Sequence, residues 1–327
     1  MRGILALMAL GVALTALAQQ IDVVPVRGNI YLLSGAGANI TASVGPEGVL
    51  IVDSGRAEMS EKVLAAIQRL NHDLSVSGKP IASSKPVKPI RYIVNTSPLP
   101  EHVGGNERLA ESGKTFTGGN VTAEFADAAE GASILAHENA LQRLSDAKVP
   151  SKGLPMETYY GSVMKLSHFF NGEAVELFHI PSAVTDGDSI VYFRSSDVIA
   201  AGDIFNIDNF PFIDLQRGGS VQGVLAGLNR MLEIVVPEFR SEGGTMVIPG
   251  HGRICDAADL GYYRDMVTII RDRIQDMMKR NMTLEQVKAQ KPTEDWDPRF
   301  GTNASWTPDM FVEAVYKSLQ KSSAQTK

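Results

Sequence analysis

Cysteine is almost missing from this chain. Only Cys255 stands in 327 residues, so no disulfide can form within one molecule and stability must come from a packed core. Net positive charge is missing too: 31 Lys and Arg against 37 Asp and Glu give −6, and both signs are dispersed. That leaves no basic surface for a nucleic-acid backbone or an anionic membrane, and neither is expected as a partner. There is also no apolar run of the roughly 20 residues that a bilayer-spanning helix needs. The longest, Gly3 to Leu14, is about a dozen residues, the length of a signal-peptide core. Arg2 precedes it and Ala16-Leu17-Ala18 supplies the small residues of a cleavage site. Residues 1–18 therefore read as a secretory signal, with a mature start near Gln19. No cysteine follows the run, which argues against a lipoprotein anchor. The expectation is a secreted or periplasmic protein with no membrane span after cleavage.

What is present is a large apolar fraction, 44% of the chain, ample for a sizeable core. Short apolar runs broken by glycine open the mature chain: Ile30 to Leu33, Ala42 to Val44 and Val49 to Val52 read as strands joined by hairpins. Met59 to Leu70 carries Val63, Leu64, Ile67 and Leu70 at helical spacing. Residues 71–88, rich in Ser, Pro and Lys, read as an exposed insertion, and Ile90 to Val94 as a buried strand. The second half repeats this grammar, with strands at Ala174 to His179, Ser189 to Phe193, Val198 to Ala201 and Met246 to Ile248, and a helix from Val221 to Val235. Leu260 to Met282 has helical spacing. Thr283 with Gln286 has the form of a capping box. Thr307-Pro308-Asp309 supplies an N-cap, a proline at the first helical position and an early acid. Strands mixed with helices throughout predict α/β layers, and a frayed end is expected from Ser322 onwards.

Five short motifs occur in order: Val52-Asp53-Ser54-Gly55; the stretch Asn95 to Asn106 around Glu101-His102-Val103-Gly104-Gly105; Ala183-Val184-Thr185-Asp186-Gly187-Asp188; Ala201-Gly202-Asp203; and Pro249-Gly250-His251-Gly252. Each alone is weak. Together, over roughly Ile21 to Gln275, they closely resemble the metallo-β-lactamase superfamily. The resemblance implies a four-layer αβ/βα sandwich with metals held by loops at one edge of its sheets. It also implies one metallo-β-lactamase-like domain with an internal pseudo-repeat, 19–281, followed by a helical C-terminal extension, 282–327, packed on it.

The second motif of that family reads His-x-His-x-Asp-His. Carried over, its first two histidines fall on Ser97 and Leu99, its aspartate on Glu101 and its last histidine on His102. The third-motif histidine falls on Val184, the bridging aspartate is Asp203, and the final histidine is His251. The resemblance thus implies that the first metal site, at Ser97, Leu99 and Val184, has been dismantled. The second keeps Glu101, His102, Asp203 and His251, with Asp53 supporting the metal loops by hydrogen bonds. Two imidazoles and two carboxylates suit Zn²⁺ and also Fe²⁺ or Mn²⁺; at most one metal per chain is expected, and a metal-free protein is compatible with the losses. Glu101 in place of Asp lengthens the arm by one methylene, more than the ~0.2 Å tolerance of a metal–ligand bond unless the loop adjusts.

Two main functional readings stay open beside a third, a different catalytic use of the same pocket. One is a non-catalytic or weakly active binding protein, a pseudoenzyme on a hydrolase fold. The other is a mononuclear hydrolase of an ester, lactone, thioester or lactam bond, in which Glu101 or Asp203 orients the water. In both, the partner is a small molecule; its identity and the oligomeric state are not written in the sequence. The stretch Phe205 to Ser220 is expected to border the cleft and the Tyr159-Tyr160 pair to be a candidate cap, core packing being the alternative for each. Asp186 and Asp188 are expected to stabilise a turn around Gly187, and His137 and His179 to be packed or surface side chains. Mass spectrometry of exported material should find a chain beginning near Gln19; an intact Met1 in a cytosolic fraction would contradict the signal assignment.

Overall fold

The computed structural model describes residues 20–76, 89–115, 131–166, 169–237 and 243–325. The expected signal segment and positions 77–88 of the expected insertion lie outside these residues.

In the first sheet, β1 (Asp22–Arg27), β2 (Ile30–Ser34), β3 (Ile40–Gly45) and β4 (Gly48–Val52) form an antiparallel meander. Helix α1 (Ser60–Val76) then crosses over to β5 (Ile90–Val94), parallel to β4. Short helices α2 (Pro100–Val103) and α3 (Asn106–Glu111) follow. Next come β6 (Ser133–His137), α4 (Glu138–Asp146) and β7 (Glu157–Tyr159). The strand order is β1-β2-β3-β4-β5-β6-β7.

The second sheet runs antiparallel through β8 (Val163–Lys165), β9 (Val175–Ile180), β10 (Asp188–Phe193) and β11 (Val198–Ala200). Helix α5 (Val221–Ile234) crosses over to β12 (Met246–Ile248), parallel to β11. Helices α6 (Ala257–Lys279), α7 (Leu284–Ala289), α8 (Asp297–Phe300) and α9 (Pro308–Gln325) close the chain. No helix among the described residues is long and apolar enough to cross a membrane.

Strand alternation builds the layers. Successive side chains of a strand point to opposite faces, so Val49 and Ile51 pack outward with Val63 and Ile67 of α1. Leu50 and Val52 face inward against Val191, Phe193, Val198 and Ala200 of the second sheet. Ile190 and Ile199 face out of that sheet, onto α5, α6 and α9. The order helix, sheet, sheet, helix is an αβ/βα sandwich. Each fully buried Val, Leu or Ile contributes roughly 1.5–3 kcal/mol. Val287, Phe300, Phe311, Val315 and Leu319 share the outer core of α5 and α6, so the C-terminal helices are packed into that layer.

Local signals were good guides where side chains satisfy backbone groups. The Thr283–Gln286 capping box forms in both directions, and Met310 N donates to Thr307 Oγ at 3.3 Å. Three boundaries differ from expectation. Helix α1 continues through 71–76, because Leu74, buried, extends the stripe of Leu70 by one turn. Helix α6 starts three residues before Leu260, because Asp256 caps it by accepting from the amides of Ala258 and Asp259. Helix α9 runs to Gln325, past the point where fraying was expected.

One helical glycine tests the packing of α5. A Cβ on Gly223 would lie 1.8 Å from the carbonyl oxygen of Ser182. Helix propensity alone favours Ala over Gly by about 1 kcal/mol, whereas forcing a methyl against backbone costs roughly 1–3 kcal/mol. Gly223→Ala should therefore lower the melting temperature; an unchanged or higher one would show that α5 does not press on that turn.

Candidate metal centre

The loops that carry the five motifs leave the carboxyl ends of β4, β5, β9, β11 and β12, so both sheets feed one edge of the sandwich. Asp53 follows β4 with a left-handed backbone, φ 67°, a conformation that Asp tolerates better than most residues. Its carboxylate is fully engaged: Oδ1 accepts from Thr96 N at 2.8 Å, and Oδ2 from Thr96 Oγ1 at 2.6 Å. Oδ2 also faces His102 Nδ1 at 2.8 Å. That contact places the Nδ1 proton toward Asp53 and aims Nε2 of the fully buried His102 across to Asp203, 3.0 Å from Oδ2. Asp203 sits in a 3-10 turn, Gly202–Ile204, beyond β11. Gly250 makes room for it, because a Cβ there would lie 2.1 Å from Asp203 Oδ1. The loop of His251 is clamped from the first sheet: Asn39 Nδ2 donates to the carbonyls of Pro249 (3.0 Å) and Gly252 (2.9 Å), and Asn39 N to that of Gly250 (2.8 Å).

Glu101, Asp203 and His251 offer ligand atoms that all lie within 4.8 Å of one another. His251 Nε2 is 3.4 Å from Asp203 Oδ1 and 3.6 Å from Glu101 Oε1. Neither Asp203 Oδ1 nor His102 Nε2, both buried, has a hydrogen-bond partner. Ligand atoms held at ~2.1 Å in a tetrahedral set lie about 3.4 Å apart, so the His251 separations of 3.4 and 3.6 Å and the unpartnered, buried Asp203 Oδ1 fit a shared cation. His102 stands behind the three-residue group and touches it through Asp203. Zn²⁺ suits these nitrogen and oxygen donors, as do Fe²⁺ and Mn²⁺.

The charges are strongly coupled. Contact with His251 and the Arg56 guanidinium outweigh burial and hold the Glu101 carboxyl down at about 2. Burial works against a charged His102, yet the Asp203 and Asp53 carboxylates on either side raise its pKa well above the ordinary imidazole value. Burial also opposes ionisation of Asp203, but His102 and His251 overcome it and lower its pKa. Arg56 Nη2 donates to Glu101 Oε2 at 2.9 Å.

Ser97, Leu99 and Val184, the positions expected to have lost a first metal, do not all reach the cleft. Leu99 lines the cleft, whereas Ser97 and Val184 are buried and do not. The Ser97 hydroxyl faces the Asp188 carboxyl without a well-formed hydrogen bond. Asp188 accepts from Thr185 N at 2.6 Å and from Thr185 Oγ1 at 2.9 Å, and Asp186 pairs with Arg143 at 2.6 Å; both aspartates hold the turn. His137 and His179 stack on each other, ring centroids 3.5 Å apart. Tyr159 and Tyr160 do not cap the cleft: Tyr159 is buried with its hydroxyl on Ser189 Oγ at 2.6 Å, and Tyr160 is 85% exposed and outside the lining.

Above the three-residue group opens a cleft of about 880 Å³. Phe210 and Phe212, from the stretch expected there, line it. So does Asn206, from the same stretch, and so do Arg56, Asn303 and Trp306, which sequence reasoning missed. Arg56 directly follows the first motif and was within reach; nothing local marks Asn303 and Trp306.

The model of the metallo-beta-lactamase superfamily matches residues 27–251. Among solved structures, the DIM-1 metallo-beta-lactamase is similar with 16% identity and a TM-score of 0.53, over 76% of this chain and 97% of its own. A metallo-beta-lactamase from Pontibacter korlensis is similar with 15% identity and a TM-score of 0.52, over 76% and 99%. A stereoselective inverting sec-alkylsulfatase from Pseudomonas sp. aligns over 91% of this chain with 16% identity and a TM-score of 0.61, but over only 50% of its own length. At these identities the likeness concerns the fold. No curated protein matches.

Burial raises Asp188 to about 7, against the pull of its bonds from Thr185 and of Ser97. An unfolded aspartate titrates near ~3.9, so the folded protein holds this proton more tightly. The stability this contributes is complete below about pH 4 and is lost as pH rises to about 7. At about 1.4 kcal/mol per pKa unit, the loss is a few kcal/mol. Asp188→Asn keeps an acceptor for Thr185 N and cannot ionise, so its melting temperature should fall less than that of the native protein between pH 5 and 8. Parallel profiles would refute the assignment.

Proposed function

Because the chain belongs to the metallo-β-lactamase superfamily, we propose that it is an exported one-metal member that binds a small molecule in the cleft and hydrolyses an ester, lactone, thioester or lactam bond. The observation that carries this reading is the convergence of Glu101, Asp203 and His251 on the cleft floor, within 4.8 Å of one another. Three protein ligands facing an open cleft are the arrangement of a catalytic site, whereas a closed set of four is that of a structural one. A divalent cation held there supplies Lewis acidity, polarising a carbonyl oxygen and lowering the pKa of water.

The chain's own groups do the rest. Glu101, ionised because its pKa is about 2, accepts a hydrogen bond from a water in the cleft and orients it. Asp53 fixes the tautomer and ring plane of His102 through Nδ1, so Nε2 stays aimed at Asp203. Leu99 presents methyl groups to the cleft where the family places a histidine. It excludes water there and offers no lone pair for a second cation.

A second reading, a non-catalytic binding protein, is favoured by Arg56. With His251 on the other side, the guanidinium occupies Glu101 as a stable ionic group and competes with its use as a ligand.

Metal analysis of the purified protein should give one equivalent of Zn²⁺, Fe²⁺ or Mn²⁺ per chain. His251→Ala should abolish binding, because it leaves the three-residue group without its imidazole. Hydrolysis of 4-nitrophenyl acetate, a homoserine lactone, an acyl thioester and a chromogenic cephalosporin should be measured on the metal-loaded protein. The one-metal hydrolase predicts turnover of at least one, lost in His251→Ala. One bound metal without turnover would support the binding-protein reading, and two tightly bound metals would overturn both.

A further inference from the structure

Part of the cleft lining, Asn303, Ser305 and Trp306, comes from a segment beyond the part of the chain that the superfamily model matches, residues 27–251. Residues 303–306 lie between α8 and α9 and are anchored to the stretch 206–212 at several points. Trp306 Nε1 donates to the Pro211 carbonyl at 3.1 Å, and the Trp306 indole meets Phe212 edge to face, centroids 4.8 Å apart. Behind them Phe210 N donates to Phe300 O at 3.1 Å. The aromatic surface presented to the cleft is therefore a fixed part of the fold.

Two side-chain amides of this wall leave donors for the cleft. Asn206 Oδ1 is used by its own turn, accepting from the amides of Asp208 (3.1 Å) and Asn209 (3.2 Å). Asn303 Oδ1 accepts from Ser305 N at 2.9 Å. In both amides the acceptor is engaged inside the protein, and the Nδ2 donors remain for a ligand. Arg56 spends one N–H on Glu101 and has further N–H groups in the same cleft. Donors on the wall and carboxylates on the floor divide the cleft into two recognition surfaces.

We propose that Phe212, Asn303 and Trp306 select the ligand. It is an acyl compound with a flat apolar ring seated on Phe212 and Trp306 and with carbonyl or carboxylate oxygens directed at Asn303, Asn206 and Arg56. This deepens the functional reading above and rests on the cleft being the ligand site. It does not require that the floor be catalytic.

The test is calorimetric titration of the full mature chain with two probes that carry the same acceptors, N-benzoylglycine and N-acetylglycine. The native protein should bind the benzoyl probe about tenfold more tightly, the scale of one aromatic contact plus buried ring area. Trp306→Ala should reduce that ratio below about threefold, while Trp306→Phe, which keeps a ring there, should retain most of it. Asn303→Asp keeps the acceptor that Ser305 N needs and replaces the donor by a negative charge. It should weaken both probes about tenfold, on the scale of a charged hydrogen-bond mismatch, and leave their ratio unchanged. Thermal unfolding of each variant excludes collapse of the segment as the cause. Equal affinity of the two probes for the native protein would overturn the proposal. So would an unchanged ratio in Trp306→Ala, or no binding of either probe at millimolar concentration. The same titrations on His251→Ala separate the two readings: a retained ring preference with no hydrolysis in any variant would leave this wall standing and remove the hydrolase.

Discussion

A buried imidazole held between two carboxylates is the constraint on which the rest of this edge depends. Asp53 and His102 belong to the first sheet and Asp203 to the second, and the contacts of 2.8 and 3.0 Å join them across the interface between the layers. Removing one partner of such a buried set leaves an uncompensated charge, which costs about 3–5 kcal/mol. The clamp of Asn39 on the carbonyls of Pro249 and Gly252 makes a second tie between the sheets at the same edge. His251 is thereby held against Asp203 and Glu101 by backbone that cannot drift independently of the first sheet.

Charge balance explains why this edge suits a cation. Asp53, Glu101 and Asp203 bring three negative charges, and Arg56 permanently answers one. The remaining two can be met by protons on His102 and His251, whose pKa values are both raised against the opposing effect of burial. They can equally be met by one divalent ion that displaces those protons. No second cation is needed for neutrality, which agrees with Leu99, Ser97 and Val184 standing where further imidazoles would have been required.

Most of the scaffold was legible because its signals are local. The apolar runs Val49 to Val52 and Ile190 to Phe193 mark strands through their composition alone, and the site motifs follow strand ends, so their place at the sheet edge follows from the strand. Boundaries were less legible where a polar residue interrupts a stripe, as Asn71 to Asp73 do before Leu74. Tyr159 took the core alternative and not the cap: an aromatic pair near the motifs leaves both open in one dimension, and strand pairing of β7 turns Tyr159 inward onto Ser189 and His137.

The sequence by itself determined α/β layering, the order of the loops and the donor atoms that side chains can offer a cation, because strand and helix periods and side-chain chemistry are properties of neighbouring residues; the sandwich was what the resemblance of its five motifs implied. Only the tertiary structure decided that Arg56 closes on Glu101, that His102 meets the group of three through Asp203, and that Leu99 faces the cleft while Ser97 and Val184 do not. It also decided that Trp306, 95 residues from its partner Pro211, forms a wall of the cleft. Those facts depend on how α8 and α9 dock against the second layer. Docking is set by the summed burial of Phe300, Phe311, Val315 and Leu319, and no single spacing along the chain encodes that sum.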